Sequence, residues 1–448
     1  TISRQRRNHH RRHGPNFLGA PAQLLCNFPT HTETVENQVE STALVSVRDV
    51  SLPAESPSPR LVRWERSAVS LVSTSTARIP ALDGLRGIAI LLVLLRHSVA
   101  GTPISSSFWS ILLDPLRLSW SGVDLFFVLS GFLIGGILIE TRQSPQYFKT
   151  FYIRRAFRIL PVYFIFLVLY LARHLPIRLV PGALGAASPL PIPWFSFFTF
   201  THNFWMVALG WFGPWAIAPT WSLAVEEQFY LTIPFLIRRI RTRGLYVTLT
   251  CVILGAPILR SILPHVLLHG DFANYVLMPC RADALCLGVL AALLYRSPQF
   301  LEWTRQRTWI LHAAITATLA GVVFLTYTAW DQYTPPMATW GLSCLALFYA
   351  CVLLSVVARV NLRLVRVLCF PPLMKLGTVA YCTYLIHAML IQAVRTLLRA
   401  HTALSPSQVW ATGGVFGVIV AVMIASLSWR FLEKPLLRCG HTYKYWAD

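Results

Sequence analysis

The sequence predicts an all-α fold: a polytopic transmembrane helix bundle of about ten spans. Three observations carry this. The 448 residues are 55% hydrophobic and only 13% charged, with a mean hydropathy of +0.55, whereas soluble domains carry roughly a quarter charged residues. Apolar runs of about 17–23 residues recur from Ile79 onward, the length a helix needs to cross about 30 Å of hydrocarbon. Positive charge gathers in alternate loops between those runs, the pattern that orients spans in a membrane.

Taken in order, residues 1–78 stand apart. They open on Arg4, Arg6, Arg7, Arg11 and Arg12 with His9, His10 and His13, and continue as a Ser/Pro/Thr/Glu-rich stretch without apolar period. This reads as a basic, disordered cytoplasmic tail. It lacks the apolar core of a secretory signal. A transmembrane domain follows over 79–438, with spans near 80–100, 120–139, 158–175, 220–237, 245–263, 274–295, 308–329, 338–358, 376–397 and 409–429. A short cytoplasmic tail, 439–448, closes the chain.

The aromatic run 193–209 is bounded by Pro193 and interrupted by His202 and Asn203. Loop charge assigns it. Arg142, Lys149, Arg154, Arg155 and Arg158 mark one cytoplasmic loop, and Arg238, Arg239, Arg241 and Arg243 mark the next. Arg296, Arg305 and Arg307, then Arg359, Arg363, Arg366 and Lys375, mark two more. A full crossing at 193–209 would turn the Arg238–Arg243 cluster outward and invert every later loop. A re-entrant or peripheral 193–209 keeps the alternation, with both termini cytoplasmic in a plasma (inner) membrane.

The formal net charge is +21, which in a soluble protein would point to nucleic acid. Residues 1–78 hold 10 Lys+Arg against 6 Asp+Glu, so only +4 belongs to the tail. The rest is dispersed over membrane loops, and a nucleic-acid partner is disfavoured. Most of the nine cysteines fall inside predicted spans, with no CxxC or zinc spacing. They read as small packing residues. Neither a Walker loop nor GxGxxG occurs.

The chemistry is expected where charge enters an apolar span, because such groups are costly there and tend to mark function. Asp83, Arg86, Arg96 and His97 lie on the first span. Arg86 and His97 are eleven positions apart, about three turns plus 20°, so they share a face about 16 Å apart along the axis. Asp83 lies one turn before Arg86 and can pair with it. An imidazole takes a hydroxyl proton near neutral pH, which makes His97 the candidate general base. Arg154, Arg155 and Arg158 introduce the third span. They are either topology anchors or a clamp for phosphate oxygens. Glu226 and Glu227 occupy a fourth span, with Tyr230 on the face of Glu226 and Trp221 just before. Asp124, Arg281, Asp283, Tyr381, Tyr384 and His387 are single polar groups in spans and read as supporting structure.

Together these segments resemble the acyltransferase 3 family of integral membrane acyltransferases. The resemblance rests on Leu82-Asp83-Gly84-Leu85-Arg86-Gly87 with His97, Gly122-Val-Asp124-Leu-Phe-Phe-Val-Leu-Ser130-Gly131-Phe132, and Arg154-Arg155 with Arg158. It continues with Trp221-Ser222-Leu-Ala-Val-Glu226-Glu227-Gln228-Phe229-Tyr230, Arg281-Ala-Asp283-Ala-Leu and Tyr384-Leu-Ile-His387. These stand in family order over 80–433. The resemblance implies O-acyl transfer, most often of acetyl, from cytoplasmic acyl-CoA to a hydroxyl of an extracytoplasmic or lipid-linked carbohydrate. It places the family's Arg…His pair on Arg86 and His97 and its Arg-x-x-Arg pair on Arg155 and Arg158. The chain resembles the stand-alone form, without a C-terminal SGNH domain.

On this reading acyl-CoA, expected as acetyl-CoA, is a donor substrate. No bound cofactor and no metal are expected, and the partners are the carbohydrate or glycolipid acceptor and membrane lipids. His97 deprotonates the acceptor hydroxyl or relays the acyl group. Arg86 stabilises developing negative charge, and Glu226 or Glu227 orients the imidazole. A secondary transporter or exporter is the rival class, since ten spans with buried charge fit it too. The lack of an internal repeat and the concentration of charge in the first five spans count against it.

Overall fold

The computed structural model describes residues 79–99, 114–172, 191–328 and 332–446. The expected disordered tail lies outside them. Among the described residues the secondary structure is helical throughout, with no strand.

The helices are α1 (Pro80–Val99), α2 (Gly122–Glu140), α3 (Tyr147–Ala172), α4 (Phe195–Phe198), α5 (His202–Leu209), α6 (Thr220–Arg239), α7 (Thr242–Val266), α8 (Gly270–Val276) and α9 (Met278–Tyr295). They continue as α10 (Pro298–Gln306), α11 (Thr308–Thr328), α12 (Leu342–Val357), α13 (Leu362–Leu368), α14 (Pro371–Thr378), α15 (Ala380–His401), α16 (Pro406–Ser428) and α17 (Lys434–His441).

Seven helical stretches are long and apolar enough to cross a membrane, eight if α14 and α15, bent by 75°, count as one span. The two other helices standing where spans were expected, α1 and α6, are 20 residues each but too polar to count among them. They carry Asp83, Arg86 and Arg96, and Glu226 and Glu227. The shortfall from ten thus falls on the two helices where charge had marked chemistry.

Boundaries differ from expectation in three places. The third span begins at Tyr147, eleven residues before the expected 158. Arg154, Arg155 and Arg158 therefore lie within a continuous helix, not at its mouth. The 193–209 run is two short helices of 4 and 8 residues, at most about 12 Å each at 1.5 Å per residue, too short to cross. Gly210, at φ 62°, ends the second in the left-handed conformation.

The last span runs on through a π-helical turn, Trp429–Glu433, into α17. Pro435 explains the turn: it has no N–H for the carbonyl of Phe431, so the helix widens there. The described part of the expected tail is docked on α3. Arg154 donates to the Tyr443 carbonyl through Nε (2.9 Å) and Nη2 (2.6 Å), Thr150 to that of Lys444 (3.0 Å), and Ser144 to that of Tyr445.

The core is set by close helix crossings. α2 and α9 make the most extensive contact. Gly131 and Gly288 face each other there, and a Cβ on either would overlap the opposite backbone. Small residues let membrane helices approach in this way. Gly377 of α14 sits as tightly against the Asp83 carbonyl of α1.

Two buried ion pairs tie the centre. Arg281 of α9 donates to Asp124 of α2 at 2.5 Å, both side chains 1% exposed. Arg260 of α7 meets Asp283 at 2.9 Å, with Ser343 donating to the same carboxylate at 2.6 Å. Asp124→Ala should destabilise the protein by about 3–5 kcal/mol, because it strands a buried guanidinium. Combining Asp124→Leu with Arg281→Met should recover most of that. Thermal unfolding of the purified protein in detergent measures both; equal losses in the single and the paired variants would count against the ion pair.

Candidate active site

A cavity of about 330 Å³ opens among α1, α2, α3, α6, the α14–α15 bend and the Trp429–Glu433 turn. That lies within the range of small-molecule sites. Arg86 enters it from α1, Arg155 and Arg158 from α3, and Glu226 and Tyr230 from α6. Glu433 and His441 line it from the C-terminal end. α2 adds the apolar side chains of Val123, Phe126, Phe127 and Leu133 to its lining.

The arginines are not equivalent. Arg86 is held by Asp83, 2.8 Å away and one turn earlier, the pairing expected from the spacing. Arg155 and Arg158 form no ion pair among the described residues, and the buried Nε of Arg155 has no hydrogen-bond partner. All three guanidiniums are close enough to repel one another. Arg155 and Arg158 share this space with the carboxylates of Glu226 and Glu433, and guanidinium groups suit phosphate oxygens. Arg154, expected beside them, is spent on the Tyr443 carbonyl and stacks on Tyr445 at 4.9 Å.

Glu226 and Glu227 part company because adjacent helical residues point about 100° apart. Tyr230 donates to Glu226 Oε2 at 3.3 Å, and Ser130 shares a 2.5 Å hydrogen bond with the same phenol. This fixes Glu226 at the cavity wall, near Arg155 and Arg158. Glu227 lies beside Arg155 with Oε1 buried and unpartnered.

His97 is not a lining residue of this cavity. Its Nδ1 donates to the Val93 carbonyl at 2.9 Å, since a carbonyl only accepts, and Nε2 is left as the basic lone pair. Its ring neighbours are Trp215 at 5.3 Å and His387 at 4.7 Å. The orienting role expected of Glu226 or Glu227 therefore has no hydrogen bond behind it: both face the arginine end. Tyr384 joins the two regions. It lines the cavity, hydrogen-bonds Ser222 at 2.6 Å, and has its ring 5.7 Å from that of His387.

Asp124, Arg281 and Asp283 stay in the ion pairs of the core. Trp221 packs on Phe127 and Tyr275, which also flank the Arg281 guanidinium. Sequence reasoning passed over Arg260, although a lone arginine in an apolar span is the same signal that marked Arg86. It missed Glu433 and His441 because they reach the cavity only through the return of the last helix.

Known proteins resemble the chain over most of its length. The chain is 28% identical over 385 residues to the peptidoglycan O-acetyltransferase OatA of Listeria monocytogenes, covering 81% of this chain and 56% of that one. It is 28% identical over 390 residues to the putative peptidoglycan O-acetyltransferase YrhL of Bacillus subtilis, covering 81% and 55%. It is 26% identical to the O-acetyltransferase OatA of Staphylococcus aureus, covering 81% and 58%. The chain thus spans little more than half the length of these relatives. No solved structure matches. The acyltransferase domain model of the acyltransferase 3 family matches residues 79–428, a stretch that contains α1 with Arg86 and His97, the arginines of α3, the glutamates of α6 and His387. With the match running over most of the helical bundle, the chain belongs to the acyltransferase 3 family.

Proposed function

We propose that this protein is a membrane O-acyltransferase that moves an acetyl group from acyl-CoA to a hydroxyl of a cell-envelope carbohydrate. The observation that carries the reading is that Arg155 and Arg158, without an ion pair among the described residues, line one cavity with Arg86 and Tyr384, and that the Tyr384 ring lies 5.7 Å from that of His387, which stands beside His97. The peptidoglycan O-acetyltransferases among its relatives make a peptidoglycan sugar hydroxyl the first acceptor to test. The arginine-rich loops support a cytoplasmic side for the Arg155–Arg158 end, in a plasma membrane with both termini on that side.

The donor's phosphates lie against Arg155 and Arg158, whose free N–H groups form charge-assisted hydrogen bonds. The apolar wall shelters the pantetheine arm. Glu226, fixed by Tyr230 and Ser130, offsets the repulsion between the two guanidiniums. His97 Nε2 takes the acceptor's hydroxyl proton as that oxygen attacks the thioester carbon, and the imidazolium returns the proton to the departing thiolate. In the relay variant, Nε2 takes the acyl group first and passes it to the hydroxyl. Arg86, pinned by Asp83, steadies negative charge on the donor side.

The test supplies purified full chain with radiolabelled acetyl-CoA and a peptidoglycan glycan fraction, alongside a flux assay in proteoliposomes. Label appearing in the glycan supports the reading. Substrate flux without transferred label would replace it with the transporter class.

A further inference from the structure

The end of the last span lays a regular stripe of side chains on the arginine cavity. Trp429, Glu433, Leu437 and His441 recur every four residues, the spacing that keeps side chains on one helix face, and all of them line the cavity. Exposure rises along the stripe: Glu433 is buried, Leu437 half-buried and His441 exposed. His441 thus stands where the lining meets solvent. Arg154, Arg155 and Arg158 are its charged neighbours there. The stripe lies past residue 428, where the family match ends.

The segment that follows holds His441 in this place. Arg154 donates to the Tyr443 carbonyl at 2.9 and 2.6 Å, Thr150 to that of Lys444 at 3.0 Å, and Ser144 to that of Tyr445. Next to the histidine, Gly440 lies so close to α3 that a Cβ would come within 3.1 Å of the Phe157 side chain. A larger residue there would push α17 away from the cavity.

Deeper in the cavity, charge is already matched. Asp83 pairs with Arg86 at 2.8 Å, and Glu226 and Glu433 stand near Arg155 and Arg158. A donor with several phosphates brings more negative charge than this interior can pair, and unpaired charge is costly away from water. The excess belongs at the open end. Among the described lining residues, the basic group besides the three arginines is His441.

We propose that His441 completes the coenzyme A site: its ring N–H donates to a phosphate oxygen of the donor at the cavity mouth, beside Arg155 and Arg158. The inference rests on the acyltransferase reading and deepens it by naming a further donor-binding residue. An imidazole presents one N–H when neutral and two when charged. A hydrogen bond to an ionised phosphate oxygen is of the strong, charge-assisted kind. No bond of the donor is made or broken at His441; it binds and orients.

Two donors separate a phosphate contact from packing. Acetyl-CoA carries the phosphates, and S-acetylpantetheine carries the same thioester and none of them. Full-length protein and peptidoglycan glycan fragments give kcat and KM with each, the acetyl group being radiolabelled. We expect His441→Ala to raise the KM for acetyl-CoA on the order of 10-fold at unchanged kcat, and to leave transfer from S-acetylpantetheine as in wild type. His441→Gln, which keeps an N–H, should recover most of the loss. An unchanged KM for acetyl-CoA in His441→Ala would overturn the proposal, as would an equal loss with both donors, the signature of disturbed packing. If wild type transfers label from neither donor, the acyltransferase reading falls and this proposal with it. If wild type transfers and only the His441 series shows no difference between donors, the reading stands and the proposal alone falls.

Discussion

Replacing His97 with alanine should lower kcat for acetyl transfer by about 10²–10⁴-fold, the range for losing a positioned general base. Affinity for the donor should hardly change, because His97 is absent from the arginine-lined cavity. The split matters. A variant that lost kcat and donor affinity together would mean a collapsed bundle. His97 packs against Trp215 and His387 in the last turn of α1, so folding is checked by thermal unfolding in detergent. His97→Gln, which conserves polarity but cannot act as a base, should be as inactive as the alanine variant. Activity in either variant within a few-fold of wild type would remove His97 from the chemistry.

The second large effect belongs to Arg155 and Arg158. Each is expected to contribute about 1.5–3 kcal/mol through hydrogen bonds from a charged donor. Arg155→Ala with Arg158→Ala should then weaken binding of coenzyme A by about two to four orders of magnitude. Among the described residues neither arginine has an ion-pair partner to lose, so the change reports ligand contacts, not a broken bridge. Lysine at both positions should recover part of the affinity, since it keeps the charge and gives up the planar fork. Titration calorimetry of the purified protein with coenzyme A measures this. Unchanged affinity in the double alanine variant would make the pair a topology signal and nothing more.

Much of this architecture is legible from residue types alone. Crossing about 30 Å of hydrocarbon demands long apolar runs, so composition and run length are enough to expect a helix bundle. Helical periodicity places Asp83 against Arg86 and puts Glu226 and Glu227 on different faces, and both hold. The 193–209 segment breaks at 199–201, with Phe200 at φ 54°, and leaves two helices too short to cross; His202 and Asn203, which open the second, are fully buried, with Asn203 donating to the Val276 carbonyl and accepting from Gln228.

Other features needed the folded chain. Burial cost marks Arg154, Arg155 and Arg158 alike, but only tertiary packing separates them: the C-terminal segment claims Arg154 and leaves the other two free. The same cost marks Asp124 and Arg281 as noteworthy without saying that they satisfy each other. His387 read as an isolated polar group, since nothing in one helix's sequence reports what another helix brings to it.

The sequence by itself determined that this is an α-helical membrane protein, where its charge is concentrated and which helix faces carry that charge. Those are consequences of helix geometry and of the cost of burying charge, both local. Tertiary structure decided which charges are spent on one another, which remain free for a ligand, and that a second imidazole stands beside His97. Those depend on pairing between helices far apart in sequence, where the long-range packing of side chains sets the outcome.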